Sequence, residues 1–160
     1  FQRLEYLLSE FAKIEELTSG KISLNKDSYH AIDLIEQAFD ILLLDSNKVD
    51  IDYDKDLFLD VDFELFSIAL KNLIDNAIKF SKNKKAIIKA NKEKIEIISL
   101  GEQLKHELSY YTEAFSQEEK RSDGFGLGLY IVKTIVNLHG YKLEYKYEDG
   151  KNYFIINMMK

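Results

Sequence analysis

The sequence contains no cysteine and no proline. Without cysteine the chain has no disulfide, no thiolate nucleophile and no zinc site with sulfur ligands, which fits a reducing compartment such as the cytosol. The absence of proline removes a common marker of element boundaries, so the predicted ends of helices and strands are soft. The chemistry of the chain must therefore come from oxygen and nitrogen groups.

Excess positive charge and long apolar runs are also missing. The formal net charge of -6 argues against a general nucleic-acid binder, although local basic residues can still meet a small phosphate ligand. No apolar run approaches the ~20 residues that a membrane helix needs, and no signal peptide is visible. The 160 residues, 46% of them hydrophobic, suffice for one globular domain. Because the chain begins at Phe1 rather than Met, we expect it to be part of a longer protein.

The first half of the chain predicts two helices before any clear strand. Residues 1–19 place leucines, Phe11 and Ile14 at helical spacing, and Gly20 is positioned to end that helix. KISLN, at 21–25, is predicted as a short extended segment. Ser28 is predicted to cap the N-terminus of the next helix. The opening helix is typical of the end of a helical hairpin whose other arm lies outside the sequence.

The rest of the chain mixes strands and helices. KVDIDYD and DLFLDVD alternate apolar and acidic residues, so we predict that they pair as a hairpin with one solvated face. A helix is predicted from about 62 to 81. It is followed by the strands KAIIKAN and KIEIISL, joined by an NKEK turn, then by a helix at about 127–139 and the strands KLEYKYE and NYFIINMM.

This order of elements predicts the fold class. Residues 102–125 are polar and poorly patterned, which indicates a mobile lid. Apart from a helical arm at 1–20, the elements form one domain, 21–160. We predict a two-layer α/β sandwich in which helices pack on a mixed sheet.

The stretch NLIDNAIKFS, residues 72–81, is the first candidate for chemistry. Asn72, Asn76 and Lys79 share one helical face. An asparagine carbonyl is a hard ligand suited to Mg²⁺, which takes further ligands from substrate phosphates, and a lysine one turn on can meet a phosphate. In the alternative interpretation the amides cap backbone groups and Lys79 pairs with Asp75.

The stretch DGFGLGLYIVKTI, residues 123–135, is the second candidate. It matches neither G-x-x-x-x-G-K-[ST] nor G-x-G-x-x-G. Its backbone N–H groups can nevertheless approach a ligand, and it leads into a helix N-terminus, which suits polyphosphate. In the alternative interpretation the glycines only permit close packing of the helix on the sheet.

Taken together, NLIDNAIKFS, the EAF segment and GFGLGLYIVKTIVNLHG resemble, in this order, the ATP-binding catalytic domain of sensor histidine kinases. That domain belongs to a superfamily with the gyrase, Hsp90 and MutL ATPases and has the Bergerat ATP-binding fold. The first stretch resembles its N box and the last its second glycine box. The resemblance runs from about Lys21 to the C-terminus, and RLEYLLSEFAKIEELTSGK resembles the second helix of the dimerisation and phosphotransfer hairpin.

The resemblance implies a role for each matching position. Asn76 would ligate Mg²⁺, Asn72 would support the metal or the phosphates, and Lys79 would contact phosphate, with Asn72 and Lys79 as the catalytic residues. Phe80 would pack near the nucleotide, and Phe115 would be the lid phenylalanine. The nucleotide contacts implied in this way are Asn72, Asn76, Lys79, Phe80, Ser99, Gly101, Leu104, Phe115, Lys120, Arg121, Gly124, Phe125, Gly126, Leu127, Gly128 and Leu129.

One motif departs from the family pattern. The first glycine box carries an Asp that accepts a hydrogen bond from the adenine amino group, and here SLGEQL places Ser99 at that position. Gly101 is kept, whereas Gln103 replaces the second glycine. Because a neutral hydroxyl is a weaker acceptor than a carboxylate, a nucleotide-insensitive interaction module, or pseudokinase, is an alternative function.

Another position separates kinases from hydrolases. Hydrolysing members of the superfamily carry a Glu four residues before the metal-binding Asn, as general base for water. Here that position is Asn72, which cannot take a proton at neutral pH. We therefore expect the chain to bind Mg·ATP and transfer the γ-phosphoryl group to a supplied nucleophile, with a gyrase-type ATPase as the less favoured alternative.

The nucleophile implied by the resemblance is a histidine. His106 follows the first glycine box, His139 ends a helix where it can cap carbonyls, and His30 has no partner pattern. The acceptor is thus expected on a hairpin helix outside this chain, its own or a partner's. The resemblance further implies a response regulator as partner, no nucleic acid, and a homodimeric, membrane-anchored bacterial parent with this part in the cytoplasm.

Overall fold

The computed structural model describes residues 2–21, 23–113 and 127–159. Within these ranges the helices and strands are α1 (Gln2–Thr18), β1 (Lys26–His30), α2 (Ala31–Leu42), β2 (Val49–Tyr53), β3 (Phe58–Asp62), α3 (Phe63–Phe80), β4 (Ala86–Ala90), β5 (Lys94–Leu100), α4 (Leu108–Thr112), α5 (Leu127–Leu138), β6 (Lys142–Glu148) and β7 (Lys151–Asn157). A single 3₁₀ turn, Ser46–Lys48, precedes β2. Most of the predicted helices and strands are confirmed within two residues of their predicted ends.

The main sheet has five strands in the order β2-β4-β5-β7-β6. β2 runs parallel to β4, and the other neighbours are antiparallel, so the sheet is mixed as predicted. β4 and β5, predicted to be joined by the NKEK turn, pair as an antiparallel hairpin, and β6 and β7 form a second one. Their pairing through β5 and β7 places Ser99 directly opposite Asn152.

The predicted hairpin between β2 and β3 is wrong. The two strands are consecutive, but β3 pairs antiparallel with β1 in a separate two-stranded sheet, whereas β2 joins the edge of the main sheet. Alternation of apolar and acidic residues predicts a strand with one solvated face, but it does not specify the partner. Here Leu59 and Val61 are buried with the helices, while Val49 and Ile51 align with the apolar side of β4.

The structure also corrects the start of α2. Ser28 was predicted to cap this helix, but it lies in the middle of β1 and pairs with Asp60. The helix begins at Ala31, and His30 occupies the cap position without a side-chain hydrogen bond. The extended segment starts at Lys26, after the predicted 21–25. Pairing with a distant strand therefore outweighs the local capping preference of serine.

One layer of helices covers the inner face of the main sheet. α3 lies centrally and packs against α2, α5 and β5, while α1 and α4 pack against α5. The contact surface is apolar, with Leu70, Leu73 and Ile74 of α3 fully buried among isoleucines of β4 and β5. The two-layer α/β sandwich is thereby confirmed. None of the helices in the described part of the chain has the length and apolar character that a membrane-spanning helix requires.

Asp62 and His139 join α3 to α5 at the end remote from Phe80. Asp62 caps α3, with Oδ1 accepting a hydrogen bond from the Leu65 N–H at 3.1 Å. Its own N–H donates to His139 Nε2 at 3.0 Å, and His139 Nδ1 donates to the Ile135 carbonyl at 2.7 Å. The ring is buried, and burial lowers the pKa of His139. His139 therefore caps a carbonyl as predicted, in the neutral form protonated on Nδ1.

Candidate functional site

A cavity of about 390 Å³ opens where the C-terminal half of α3 meets β5 and β7. The segment that follows β5 forms one wall, and α4 contributes Tyr111. The residues that line it are Asn76, Ala77, Phe80, Ser81, Lys82, Ser99, Gly101, Glu102, Gln103, Leu104, Lys105, Tyr111, Asn152 and Phe154. Its size and its mixture of apolar walls with a few polar groups are those of a small-molecule site.

Five of the residues singled out in the sequence line this cavity. Asn76 and Phe80 come from α3, Ser99 from the end of β5, and Gly101 and Leu104 from the segment after it. Seventeen residues, 82–98, separate the two motifs in the chain. The fold thus joins the N-box and first-glycine-box positions in one site, a juxtaposition that spacing alone does not give.

The other described positions lie outside the lining. Asn72 is buried at 5% exposure, and Leu127 and Leu129 are buried in the core at the start of α5. Lys79 is exposed, with Nζ 5.3 Å from the centroid of the Phe80 ring. The remaining predicted contacts fall outside the described residues: Phe115, Lys120, Arg121, Gly124, Phe125 and Gly126.

Gly128 faces α3 at the point where Asn72 lies. A Cβ placed on Gly128 would be 3.9 Å from Asn72 Cγ, which is an ordinary van der Waals distance. Packing of α5 on α3 therefore does not require glycine at this position. The alternative interpretation, in which the glycines only permit close packing of the helix, is therefore not supported at Gly128.

A buried ion pair connects α1 to α3 beside Asn72. Lys71 Nζ lies 2.9 Å from Glu10 Oε1 and 2.8 Å from Oε2, and the two side chains are only 8% and 11% exposed. Asn72 Nδ2 lies 3.5 Å from the same Glu10 oxygen. The predicted catalytic asparagine thus shares its surroundings with a carboxylate 62 positions away in the chain. Sequence reasoning missed this pair, because helical periodicity assigns no partner to Glu10.

Further contacts hold α1 on the domain. Lys13 of α1 forms an ion pair with Glu64 at the start of α3. The rings of Phe11 and Tyr130 lie with centroids 5.6 Å apart. α1 is thereby fixed to both α3 and α5, the two helices that carry the predicted phosphate-binding motifs.

At the opposite wall, three side chains of β6 and β7 hold the segment after β5. We call Tyr145, Tyr147 and Asn152 the strand clasp. The Tyr147 hydroxyl donates to the Gly101 carbonyl at 2.9 Å, and Asn152 Nδ2 donates to the Glu102 carbonyl at 2.9 Å. The clasp therefore fixes the first glycine box by hydrogen bonds to its backbone.

Tyr145 completes the strand clasp. Its hydroxyl accepts from the Leu104 N–H at 3.1 Å and donates to Asn152 Oδ1. Burial raises the pKa of the Tyr145 hydroxyl above its ordinary value, so it stays protonated and able to donate. The amide of Asn152 is thus held from both ends, and its orientation is fixed.

The strand clasp was missed in the sequence. Neither the tyrosines of β6 nor Asn152 was assigned a role there. One signal was present: Asn152 occupies an inward position in the alternation with Phe154 and Ile156. A buried polar residue in an apolar row requires hydrogen-bond partners, but those partners become evident only from the register of β5, β6 and β7.

Gly101 lies where three chain segments meet. A Cβ at this position would be 3.4 Å from the Phe80 carbonyl oxygen and 3.5 Å from Asn152 Nδ2. Its N–H donates to the Gly150 carbonyl at 3.0 Å. Both distances are at the short end of ordinary van der Waals contact, so packing leaves little spare space here but does not by itself require glycine.

The donor set at α3 fits a divalent cation that brings its own phosphate ligands. Asn76 is half-buried at the cavity, and its side-chain oxygen is a hard ligand. Within the described ranges no group of three Asp, Glu or His side chains is arranged to hold a metal. A metal ion beside Asn76 would therefore take most of its ligands from phosphate and water, as Mg²⁺ commonly does.

Comparisons with known proteins identify the family of this chain. The family model described as histidine kinase-, DNA gyrase B-, and HSP90-like ATPase matches residues 62–159. The sensor histidine kinase ArsS of Helicobacter pylori is 34% identical over 161 residues, which cover 98% of this chain and 38% of that protein. The chain thus spans well under half the length of this curated relative.

Solved structures show the same fold. The Acinetobacter baumannii histidine kinase AdeS superposes with a TM-score of 0.72 at 20% identity, covering 99% of this chain and 80% of that one. Histidine kinase ThkA, solved with the response regulator protein TrrA, gives 0.70 at 20% identity over 97% of this chain and 46% of that one. Since the family model matches more than half of the chain, the chain belongs to the histidine kinase-, DNA gyrase B-, and HSP90-like ATPase family and is an ATP-binding domain of the sensor histidine kinase type.

Proposed function

We propose that this chain binds Mg·ATP in the cavity between α3, β5 and β7 and transfers the γ-phosphoryl group to a histidine on a hairpin helix outside the chain. The observation that carries the proposal is that Asn76 and Phe80 of one motif and Ser99, Gly101 and Leu104 of another line a single cavity. In this arrangement the base enters between Phe80 and Leu104, and the phosphates extend towards Asn76.

The phosphate side of the reaction depends on positioning and charge neutralisation. Asn76 would hold Mg²⁺ through its side-chain oxygen, and the ion would neutralise the charge of the phosphates. Lys79, exposed one turn further along α3, reaches the phosphates as a point charge. Asn72 orients the same groups from its buried position.

The nucleophile in this proposal is an imidazole nitrogen of the acceptor histidine. It attacks the γ-phosphorus, the bond from that phosphorus to the β–γ bridging oxygen breaks, and ADP leaves. Asn72 offers an amide where a hydrolase needs a carboxylate, so no side chain at that position activates water. The phosphoryl group therefore passes to the histidine.

The proposal extends to the whole protein. Residues 1–20 form the end of the dimerisation hairpin, 21–160 the catalytic domain, and 102–125 a lid that closes over ATP. The parent is a homodimeric, membrane-anchored bacterial sensor with this part in the cytoplasm, and its phosphohistidine serves a response regulator. The structure of ThkA with the response regulator TrrA supports that last partner.

A pseudokinase is the second candidate. Ser99 and Gln103 depart from the first glycine box, and Asn72 lies 3.5 Å from a carboxylate oxygen of Glu10. If Glu10 retains Asn72 permanently, the phosphate side cannot assemble. In that case the chain would serve only as an interaction module.

Nucleotide titration tests the proposal. A non-hydrolysable ATP analogue should bind more tightly with Mg²⁺ than without it, and Asn76→Ala should remove this Mg²⁺-dependent gain. Asn137→Ala, at an exposed position on α5 outside the cavity lining, is the matched control and should bind like the wild type. No binding at millimolar nucleotide would establish the pseudokinase instead.

A second assay tests the transfer. The chain is incubated with labelled ATP and a separately made hairpin that bears the acceptor histidine. Acid-labile label on the hairpin, lost when its histidine is replaced, is the expected result. Steady release of inorganic phosphate without the hairpin would instead identify a gyrase-type ATPase.

A further inference from the structure

The buried polar side chains that line the cavity differ in whether they already have a hydrogen-bond partner in the protein. Ser81, Ser99, Tyr111 and Asn152 all line it, and each is less than 10% exposed. A buried polar group normally has a hydrogen-bond partner in the protein. One that lacks such a partner is available to a ligand.

Three of these side chains are already hydrogen-bonded. The Ser81 hydroxyl donates to the Ile78 carbonyl at 3.0 Å and accepts from the Lys85 N–H at 3.0 Å. The Tyr111 hydroxyl accepts from the His106 N–H at 3.3 Å. The amide of Asn152 is held in the strand clasp.

Ser99 is the exception. In the described part of the chain no side chain or backbone group hydrogen-bonds its hydroxyl, although the residue is only 8% exposed. It continues the inward row of Ile95 and Ile97 on β5, and it is the first residue of that row to reach the cavity. Its hydroxyl is therefore the polar group left to meet a base that enters the cavity.

A hydroxyl and a carboxylate recognise different groups. An ionised carboxylate only accepts hydrogen bonds, so it pairs with the 6-amino group of adenine and opposes the 6-oxo group of hypoxanthine or guanine. A serine hydroxyl both donates and accepts, and it rotates to suit its partner. It can therefore satisfy a 6-amino group or a 6-oxo group equally.

The polar groups near Ser99 do not restore a preference for the 6-amino group of adenine over a 6-oxo group. The amide of Gln103, exposed at the cavity, carries both a donor and an acceptor. Among the described lining residues the one carboxylate belongs to Glu102, which is exposed, so water competes for its hydrogen bonds. Asn152 cannot turn without breaking the strand clasp.

We propose that Ser99 gives this site a relaxed base specificity, so that it accepts 6-oxopurine nucleoside triphosphates as well as ATP. This inference rests on the proposed nucleotide-binding function and names its substrate class. Inosine triphosphate is the cleanest probe, because its base has the 6-oxo group without the 2-amino group of guanine. GTP then shows whether the 2-amino group is also accommodated.

The test compares dissociation constants for ATP and inosine triphosphate with Mg²⁺, by isothermal calorimetry on the full chain. In the wild type the two constants should lie within about fivefold of each other. In Ser99→Asp, ATP should bind more tightly and inosine triphosphate more weakly, so that their ratio rises by about tenfold or more, as expected for a charged hydrogen bond gained and an acceptor pair opposed. Ser46→Asp, in an exposed turn outside the cavity lining, is the matched control and should keep the wild-type ratio.

Ser99→Ala tests the role of the hydroxyl independently, in case the Ser99→Asp variant does not fold. It should weaken both nucleotides by a similar factor, because each loses one hydrogen bond; unchanged affinity for both would overturn the role of Ser99. A wild-type preference for ATP over inosine triphosphate of more than about fivefold would overturn the relaxed specificity but leave the proposed function standing. Absence of binding for every nucleotide would overturn the proposed function itself.

Discussion

The two ends of the proposed nucleotide site, a base end at Ser99 and Leu104 and a phosphate end at Asn72 and Asn76, are built differently. At the base end, the sequence departs from the family pattern at Ser99 and Gln103, and hydrogen bonds from β6 and β7 fix the segment after β5. At the phosphate end, the motif on α3 agrees with the family pattern. There the buried support comes from α1, through Glu10 and Lys71.

This difference teaches that agreement with a motif and structural support are separate properties. The proposed base end is held within the domain by the strand clasp, although its first glycine box departs from the family pattern. The proposed phosphate end keeps the N-box residues, and the buried ion pair beside it is completed by Glu10 of α1. We therefore expect changes in α1 to act on the phosphate end and changes in β6 or β7 to act on the base end.

The largest effect is expected at the phosphate end from Lys71→Ala. The substitution leaves the Glu10 carboxylate buried without its cation, which should lower the free energy of unfolding by about 3 kcal/mol. Chemical denaturation measures this, with Lys133→Ala, at an exposed position on α5, as the control expected to change stability by less than about 0.5 kcal/mol.

A double variant separates the pair from general damage. Glu10→Gln with Lys71→Met removes both charges, so it should be less destabilised than Lys71→Ala alone. A loss below about 1 kcal/mol for Lys71→Ala would mean that the pair is solvated. The contrast between the two ends would then disappear.

The next effect is expected at the base end from Tyr145→Phe. Loss of the hydroxyl leaves the Leu104 N–H and Asn152 Oδ1 without their partner, which should cost about 1.5 kcal/mol. Hydrogen exchange at the Leu104 amide should accelerate, while exchange around Asn72 stays unchanged. Tyr153→Phe, on the outer face of β7, is the matched control. Equal acceleration at both ends would show that they are not independent.

Gly128→Ala tests the phosphate end without loosening the fold. The new methyl group meets Asn72 at an ordinary distance, and alanine favours a helix, so thermal stability should be unchanged or rise by up to about 1 kcal/mol. Affinity for Mg·ATP should nevertheless fall, because the methyl group obstructs the approach of phosphate to the backbone of α5. A variant that gains stability and keeps full affinity would place the phosphates elsewhere.

The smallest effect is expected from a change of pH, which should alter the stability of the whole domain rather than one end of the site. Burial lowers the pKa of His139 below its ordinary 6.5, so the unfolded chain binds a proton more readily than the folded one. The contribution of His139 is therefore complete above pH 6.5 and declines as the pH falls towards the folded pKa. Unfolding curves between pH 7.5 and 5.5 should show this decline, and His139→Gln should reduce it. The same dependence of stability on pH in the wild type and in His139→Gln would show that His139 does not cause the decline.

Local patterns predicted most of the fold. α3 and α5 carry strong helical periodicity, and the hairpins β4–β5 and β6–β7 join strands across short turns, so neighbours in sequence are neighbours in space. The same reasoning failed for β2 and β3, because their partners are distant in the chain. It failed for Ser28 since pairing of β1 with β3 overrode its capping preference.

The candidate site was predicted in the same uneven way. Asn76, Phe80, Ser99, Gly101 and Leu104 could be named because each lies in a motif of contiguous residues. The strand clasp could not, since its contacts with the segment after β5 span more than forty positions. Glu10 was missed for the same reason, as its partner on α3 follows it by 61 positions.

Apart from the exposed hydrogen bond from Tyr130 to Glu15, the contacts that the described side chains of α1 make lie on one stripe of its surface. They involve the buried or half-buried residues Glu10, Phe11, Lys13, Ile14 and Leu17. A twist of the helix by one residue step, about 100°, would carry the whole stripe away at once and present exposed acidic side chains instead. Turning α1 on the domain would break these contacts together, so we expect the helix either to keep this orientation or to detach as a whole.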